Sequence, residues 1–305
     1  MTSQATKILL IGGGALGSAF IPYLSKIPNS TLTLGVRNPS AYASIAGPGV
    51  TLQALDTKSP PEDLVPIYAD FDIIISAAGF GPGPDGVTQL VRDVLQAGKI
   101  RQASGKSKLW FFPWQWGVDY DIAGDLDGAH TTFKAQVEVR RILRAGADAS
   151  HVKWTIVSTG IFLGVLFDPG FGTFEKRDTG IKIRALNDWD HKVTVTHTED
   201  IGKILPPILA GQCDAENKVL YIAGDTISYR QFADIVERVT GKQVEREAWS
   251  IPHLQQEMEK DPDDMNKQYR RVFAGPGVWW DKELTLDKRL GVQLRDAETC
   301  VKELL

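Results

Sequence analysis

The stretch Lys7-Ile-Leu-Leu-Ile-Gly-Gly-Gly-Ala-Leu-Gly-Ser18 decides the fold of this chain. Its apolar run ends in three glycines, and a segment compatible with a helix follows, so the pattern predicts a strand, a tight turn and a helix. Gly12, Gly14 and Gly17 have the G-x-G-x-x-G spacing of a dinucleotide-binding turn. In such a turn the first glycine lets the chain reverse, the second leaves the backbone open to a pyrophosphate, and the third lets the helix approach the strand.

The helix after this turn begins at Ala15 and Leu16 and extends to about Lys26, and Pro22 predicts a kink or an early end. The free N–H groups and the positive dipole at its start are suited to phosphate groups. The motif alone also fits an ordinary glycine-rich connection between a strand and a helix. Its position directly after the first apolar strand favours the nucleotide-binding interpretation.

The end of the second predicted strand, 31–36, indicates which nucleotide is bound. NAD-binding proteins usually carry Asp or Glu here for the ribose 2′-hydroxyl, whereas this chain has Arg37 and Asn38, followed by Ser40. A guanidinium can hold a 2′-phosphate through charged, forked hydrogen bonds, and no carboxylate opposes it. The sequence therefore predicts NADP(H) as the cofactor, with the alternative that Arg37 is a solvated charge at the start of a loop.

Further strand-like runs alternate with helical patterns through the first half of the chain. The strands are expected at 50–54, 71–76, 109–113 and 153–158, and helices at 87–97 and 130–146. This alternation predicts an α/β fold with a Rossmann-type, doubly wound parallel sheet. We interpret the polar segment 101–108 as a surface connection.

Small residues follow the apolar run 71–76, namely Ala77, Ala78 and Gly79. At the carboxyl end of a central strand they would leave room for the cofactor, so we count them among the candidate cofactor-binding residues. A flexible loop is the simpler alternative.

The regular alternation stops after Thr159. A hairpin is predicted around 181–195, and Ser228 is predicted to cap a helix over 229–240 that Gly241 ends.

We predict two parts, because the pattern changes near residue 158. An NADP-binding Rossmann domain is expected over 1–158, and a smaller α/β substrate-binding cap, interleaved with the sheet, over 159–305.

The composition indicates a soluble enzyme. Lys plus Arg total 34 against 38 Asp plus Glu, a net charge of -4, and no basic stretch suggests a nucleic-acid surface. Cys213 and Cys300 are far apart, which favours a reducing compartment over a disulfide framework. The polar start lacks a secretory signal and no apolar run reaches membrane-spanning length, so we expect a cytoplasmic protein. The five histidines are scattered, and we expect no metal site.

Several motifs together resemble the NmrA-like and isoflavone-reductase-like family of atypical short-chain dehydrogenases, over nearly the whole chain. The motifs are the glycine turn 12–17, Arg37, Phe111-Phe112-Pro113 followed by Gly117-Val118-Asp119-Tyr120, Phe133-Lys134 with Arg140-Arg141, and the segments 196–202 and 228–241. The amino-acid sequence of segment 111–117 is most similar to that of fungal members, which often act in secondary metabolism.

The resemblance implies an NADP(H)-binding sheet with a lysine near the nicotinamide and the substrate. That lysine is matched by Lys134, and the usual Tyr-x-x-x-Lys pair is replaced by His130 and Lys134, one helical turn apart. A protonated lysine can donate a hydrogen bond, and finally a proton, to a substrate heteroatom. The alternatives are that Lys134 is a solvated helix residue and that His130 only contacts water at a helix start.

Candidate substrate-binding residues surround the expected ligand crevice. Trp114, Gln115 and Trp116 lie just beyond the end of a predicted strand, and Phe162 and Phe167 are candidates for the opposite wall. Aromatic walls suit a flat, hydrophobic substrate of aromatic, alkaloid-like or polyketide-like type. The alternative is that these side chains belong to the core.

The sequence therefore predicts an NADPH-dependent reductase of a C=C, C=N or C=O bond in a hydrophobic small molecule of secondary metabolism, acting as a monomer or homodimer. Two alternatives keep the cofactor. One is an NADP(H)-assisted isomerase or cyclase, including a cycloaddition, which the missing tyrosine permits. The other is a non-catalytic NADP redox sensor, as the regulatory NmrA branch suggests.

Overall fold

The computed structural model of the chain describes residues 5–47, 49–79, 83–125, 131–178 and 180–305, without the side chains of residues 131 and 132. The strands are β1 (Thr6–Ile11), β2 (Ser30–Val36), β3 (Val50–Ala54), β4 (Ile73–Ser76), β5 (Leu109–Phe112), β6 (Val152–Ser158), β7 (Ile161–Phe162), β8 (Phe174–Arg177), β9 (Gly180–Leu186), β10 (Lys192–Thr196), β11 (Lys218–Tyr221), β12 (Asp225–Ser228) and β13 (Val244–Trp249). The α-helices are α1 (Ala15–Leu24), α2 (Pro61–Ala69), α3 (Gly83–Ala103), α4 (Tyr120–Ala123), α5 (Thr131–Gly146), α6 (Thr198–Ile201), α7 (Leu205–Leu209), α8 (Tyr229–Thr240), α9 (Ile251–Lys260), α10 (Met265–Phe273), α11 (Leu286–Leu290) and α12 (Ala297–Leu304).

Strand β1 lies inside a seven-stranded sheet of order β11-β6-β5-β4-β1-β2-β3. The pairings that link β6, β5, β4, β1, β2 and β3 are all parallel. Ile8, Leu9 and Leu10 of β1 are fully buried, as expected of a parallel strand covered on both faces. The predicted Rossmann-type, doubly wound sheet is confirmed. Its strand order reverses between β1 and β4, which is where such sheets bind ligands.

The predicted surface connection over 101–108 holds for the exposed residues 104–108 but not for the start of the segment, where helix α3 ends. We expected a surface connection, but α3 continues through Ala103, and Arg101 is only 1% exposed. The guanidinium of Arg101 donates to the carbonyl oxygens of Ala69 and Phe71 at 3.2 and 2.7 Å, and to the Asp72 carboxylate at 2.7 Å. Buried acceptors thus satisfy a charge that sequence polarity alone assigned to the surface.

Two compact units form, each from separate segments of the chain. The division into a cofactor-binding and a substrate-binding part at residue 158 stays a prediction. The segment 202–220, which follows that boundary in the sequence, packs with the unit that holds the large sheet. The first unit comprises Met1–Gln115, Thr131–Val157 and Gly202–Leu220, and the second comprises Trp116–His130, Ser158–Ile201 and Tyr221–Leu305.

The second unit contains two three-stranded sheets, β12-β10-β7 and β13-β9-β8. The predicted hairpin over 181–195 is therefore wrong, because β9 and β10 belong to different sheets. Strand β9 pairs antiparallel with β8 and parallel with β13. The Asp188 carboxylate accepts the N–H groups of Asp190 and His191, both at 2.8 Å, and this turn separates the two strands.

Helix α8 begins and ends as its sequence predicts. The Ser228 hydroxyl accepts the N–H of Gln231, and the Gln231 side chain accepts the N–H of Ser228, which makes a capping box. Gly241 ends the helix in the left-handed conformation, with φ of 65°.

Candidate functional site

The turn between β1 and α1 has two glycines that no larger residue can replace without moving the backbone. Gly12 has φ of 97°, and a Cβ atom there would lie 2.8 Å from the Cα of Ala78. A Cβ atom on Gly17 would lie 1.9 Å from the carbonyl oxygen of Gly12. The first and third glycines of the motif therefore serve the close approach of strand, turn and helix.

Gly14 is different, because no heavy atom lies within 4 Å of the position that its Cβ would take. It is the N-cap of α1, where no side chain caps the helix and the first turn holds no acidic residue. The open position at Gly14 thus lies next to the first N–H groups of α1, those of Ala15 and Leu16, at the positive end of the helix dipole. This arrangement fits a pyrophosphate.

A cavity of about 440 Å³ lies over this turn. It brings together several predicted cofactor residues from three strand ends. These are Gly12, Gly14, Arg37, Asn38, Ala77 and Ala78. Ala15, Leu16, Gly17 and Gly79 do not line it. Gly79 has φ of 65°, and a Cβ atom there would lie 3.9 Å from the ring of Trp114.

The side chain of Asn38 is oriented by a neighbour. The Ser40 hydroxyl donates to the Asn38 amide oxygen at 2.6 Å, and Asn38 lines the cavity. With its oxygen engaged, the Asn38 amide presents its N–H groups as donors, which suits an anionic ligand. Ser40 therefore acts on the site through Asn38 and is not among the residues that line the cavity.

Tyr42 and Lys58 are among the cavity residues that were not found from the sequence. Tyr42 explains the middle glycine of the run, because a Cβ atom on Gly13 would lie 2.4 Å from the Tyr42 ring. The available signal was that Tyr42 is the one aromatic residue between Arg37 and Val50. Lys58 lies in the loop after β3, where no motif marks it.

Lys134 lies in the first turn of α5, and its side chain is exposed. Within the described residues its ammonium has no hydrogen-bond or ion-pair partner. One turn further, the carboxylate of Glu138 accepts a hydrogen bond from the Arg141 guanidinium at 2.7 Å, and this bond holds the pKa of the Glu138 carboxyl below its usual value. Lys134 itself is thus a cation open to a ligand. His130, the other predicted catalytic residue, lies outside the described residues.

Gln115 joins the end of β5 to α5. Its amide nitrogen donates to the carbonyl oxygen of Gln136 at 2.6 Å, and its amide oxygen accepts the Nε–H of Arg140 at 2.9 Å. Gln115 and Arg140 are 2% and 1% exposed. Both ends of the Gln115 amide are therefore used to hold the helix that carries Lys134. Its neighbour Trp114 is half-buried beside Gly79.

The remaining candidate substrate residues belong to the second unit. Trp116 is buried and Phe162 is half-buried. The half-buried ring of Phe167 packs against Phe174 and Phe232, with ring centroids 4.9 and 5.6 Å apart. Phe167 thus takes part in an aromatic cluster of this unit.

The segment after Trp116 is tightly held within the second unit. The Tyr221 hydroxyl donates to the buried Asp119 carboxylate at 2.7 Å, whose other oxygen accepts the N–H of Asp121 at the start of α4. The carbonyl oxygen of Gly117 accepts the N–H of Thr159 at 3.0 Å. Asp119 therefore has a structural use, as a helix cap and as a hydrogen-bond acceptor.

Within the part of the chain that the structure describes, no group of three or more His, Cys, Asp or Glu side chains is placed to hold a metal ion. None of the helices in those ranges is both long and apolar enough to cross a bilayer.

Comparison with known proteins matches this chain to one family almost end to end. The profile of the NmrA-like family matches residues 4–292. A curated relative from Gibberella moniliformis, an NmrA-like family domain-containing oxidoreductase, is 34% identical over 99% of each chain.

Solved structures share the fold at lower identity. A crystal structure of isoflavone reductase has a TM-score of 0.75 and 21% identity, covering 99% of this chain and 100% of that one. A structure of AtPrR2 with NADP+ and (+)pinoresinol has a TM-score of 0.75 and 17% identity, with the same coverage. At these identities the likeness concerns the fold.

Proposed function

Because the chain belongs to the NmrA-like family and is an oxidoreductase of the isoflavone-reductase-like type, we propose that it reduces a C=C, C=N or C=O bond in a hydrophobic small molecule with NADPH. The resemblance described from the sequence is confirmed by the family match. The observation that carries the proposal is the cavity over the β1–α1 turn, where Gly14 is open and Arg37 and Asn38 are within the same lining.

NADP(H) is the proposed cofactor because the residues of this cavity fit it. The open backbone at Gly14 and the start of α1 would hold the pyrophosphate, and Arg37 would hold the 2′-phosphate with a forked pair of donors. NADP+ is also the nucleotide named for the AtPrR2 structure. When bound, the cofactor supplies the hydride.

The substrate is proposed to be a flat aromatic compound of secondary metabolism. The half-buried ring of Trp114, next to Gly79, would provide apolar contact area for such a ring system. The likeness to a structure that holds (+)pinoresinol supports the same class of compound. The role in secondary metabolism rests on the similarity of the segment 111–117 to fungal members.

Lys134 is the proposed acid of the reaction. An exposed ammonium without a partner among the described residues can donate to the substrate heteroatom on which negative charge develops, and can then deliver a proton there. The hydrogen bond between Gln115 and Arg140 holds α5, the helix that carries Lys134. His130 is proposed to relay that proton, since its ordinary pKa lies near neutrality.

We propose a cytoplasmic protein, because Cys213 and Cys300 are far apart in the sequence and form no disulfide within the described residues. We propose a monomer or a homodimer.

The test is to incubate the protein with NADPH and a panel of aromatic substrates, and to measure turnover by the loss of NADPH absorbance and by product analysis. Consumption of one NADPH per product is expected. Turnover at a catalytic amount of cofactor would instead identify an isomerase or cyclase. The presence of His130 in place of the usual tyrosine permits this alternative. Binding of NADP(H) that changes a protein partner, without any turnover, would identify a redox sensor and overturn the catalytic proposal.

A further inference from the structure

The nucleotide cavity is lined by two cations and one carboxylate, Arg37, Lys58 and Asp56. Arg37 directly follows β2, and Lys58 lies in the loop between β3 and α2. Both side chains are exposed, and neither has an ion pair or side-chain hydrogen bond within the described residues. The lining therefore carries an excess of positive charge that no protein group in those ranges neutralises.

The backbone fixes Lys58 close to the end of β2. Val36 is in register with Ala54, and the N–H of Leu55 still donates to the carbonyl oxygen of Val36 at 3.0 Å. The two strands thus remain paired up to the point where Arg37 begins. Parallel strands that leave a sheet at the same edge bring the residues after them together.

Asp56 has a use that explains its place among these cations. Its carboxylate accepts the backbone N–H of Lys58 at 3.0 Å, and its carbonyl oxygen accepts the N–H of Ser59 at 2.9 Å. These two bonds form a tight turn that holds the backbone of Lys58 in one position. Asp56 therefore orders the loop on which the lysine is carried.

Within the described residues, some surface lysines of this unit are paired with a carboxylate and others are not. Lys106, Lys108 and Lys153 each contact a carboxylate at its surface. By contrast, Arg37 and Lys58 face the same cavity without such a partner in the described part of the chain. Two unpaired cations around one cavity are what a phosphate dianion requires, because each can supply one charge-assisted bond.

We infer that Lys58 is a second cation of the ribose 2′-phosphate site and that, with Arg37, it determines the preference for NADP(H) over NAD(H). This inference rests on the proposed function, since it assumes that the cavity takes a dinucleotide. Arg37 binds the phosphate with its planar fork, Asn38 adds an amide N–H, and Lys58 approaches from the neighbouring strand end as a compact charge.

The experiment is titration calorimetry of the full chain with NADP+, NAD+, 2′,5′-ADP and 5′-AMP. The variants are Lys58→Gln, Arg37→Gln and the double variant, and Lys26→Gln is the matched control, since it removes an exposed lysine that does not line the cavity. Melting temperatures confirm that each variant is folded. Lys58→Gln should weaken the binding of NADP+ and 2′,5′-ADP about tenfold, which corresponds to the loss of one charge-assisted hydrogen bond. The affinities for NAD+ and 5′-AMP should change by less than about twofold.

Three results would overturn the inference. In the first, Lys58→Gln binds NADP+ as tightly as the unmodified chain, while Arg37→Gln binds it clearly more weakly. This result would place Lys58 outside the phosphate site and would leave the proposed function standing. Equal losses for NADP+ and NAD+ would place Lys58 at a group that both nucleotides share. Failure of the unmodified chain to bind any of the dinucleotides would remove the proposed function and this inference with it.

Discussion

The carbonyl oxygen of Gly12 lies 1.9 Å from the point where a Cβ atom on Gly17 would stand. Real side chains never approach a backbone oxygen so closely, so even a methyl group at position 17 would push α1 away from β1. Gly14, three residues earlier, has nothing within 4 Å of its Cβ position. The two glycines of one motif thus have separate roles, in packing and in ligand access.

Gly17→Ala should therefore damage the fold, and Gly14→Ala should damage only the binding of the cofactor. Overpacking at Gly17 is expected to lower the free energy of unfolding by about 1–3 kcal/mol or more, measured by urea denaturation. Gly14→Ala should unfold like the unmodified chain but bind NADP+ at least about tenfold more weakly, because its methyl group occupies the space of the pyrophosphate. A Gly17→Ala protein of full stability would contradict the close approach described for the turn.

Lys134→Ala should abolish turnover while leaving NADPH binding largely intact. Loss of a positioned acid typically lowers kcat by about 10²–10⁴-fold. The measurements are kcat with a substrate found in the panel and the dissociation constant of NADPH. Lys99→Ala is the control, since Lys99 is also an exposed lysine on a helix of the first unit. Full activity of Lys134→Ala would remove Lys134 from the mechanism.

Arg101→Met should strongly destabilise the chain, because it removes a buried cation together with the hydrogen bonds that it donates to Ala69, Phe71 and Asp72. Breaking such a buried arrangement typically costs about 3–5 kcal/mol in the free energy of unfolding. Lys106→Met, which removes an exposed ion pair with Asp70, should cost less than about 1 kcal/mol. Similar stabilities for the two variants would show that the burial of Arg101 has little effect.

The Glu175 carboxylate of β8 gives the chain an acid-sensitive contact. Hydrogen bonds from Arg177, and secondly from Arg184, lower the pKa of Glu175 from 4.5 to about 2. Because the folded-state pKa is the lower one, its stabilisation is complete above pH 4.5 and is lost as the pH falls through about 2.

Glu175→Gln should therefore reduce the melting temperature near neutral pH, and the difference from the unmodified chain should shrink between pH 4.5 and about 2. The effect is expected to be small because these side chains are solvated. Asp178→Asn provides a control at an exposed carboxylate without an ion pair among the described residues. A difference that stays constant across this pH range would argue against the shifted pKa.

Local sequence patterns predicted the parts of this protein that depend on neighbouring residues. The strand, turn and helix at 6–24 depend on three glycines and an apolar run, and the Ser228 cap depends on a side chain reaching a backbone N–H three residues later. Each of these features depends on residues that lie only a few positions apart in the sequence. Predictions failed where the partner was distant. Both strands of the supposed hairpin were found, but each pairs elsewhere, because alternation of apolar residues marks a strand without naming its neighbour.

The sequence by itself determined the Rossmann-type sheet, the open glycine turn and the arginine at the end of the second strand, since each shows in the local pattern of residues and in the alternation of strands with helices. Only the tertiary structure decided that Arg101 is buried, that Gln115 holds the helix of Lys134, and that Lys58 lines the same cavity as Arg37. Those outcomes depend on which distant segments share a buried surface or a sheet edge, and no local spacing of residues records that choice.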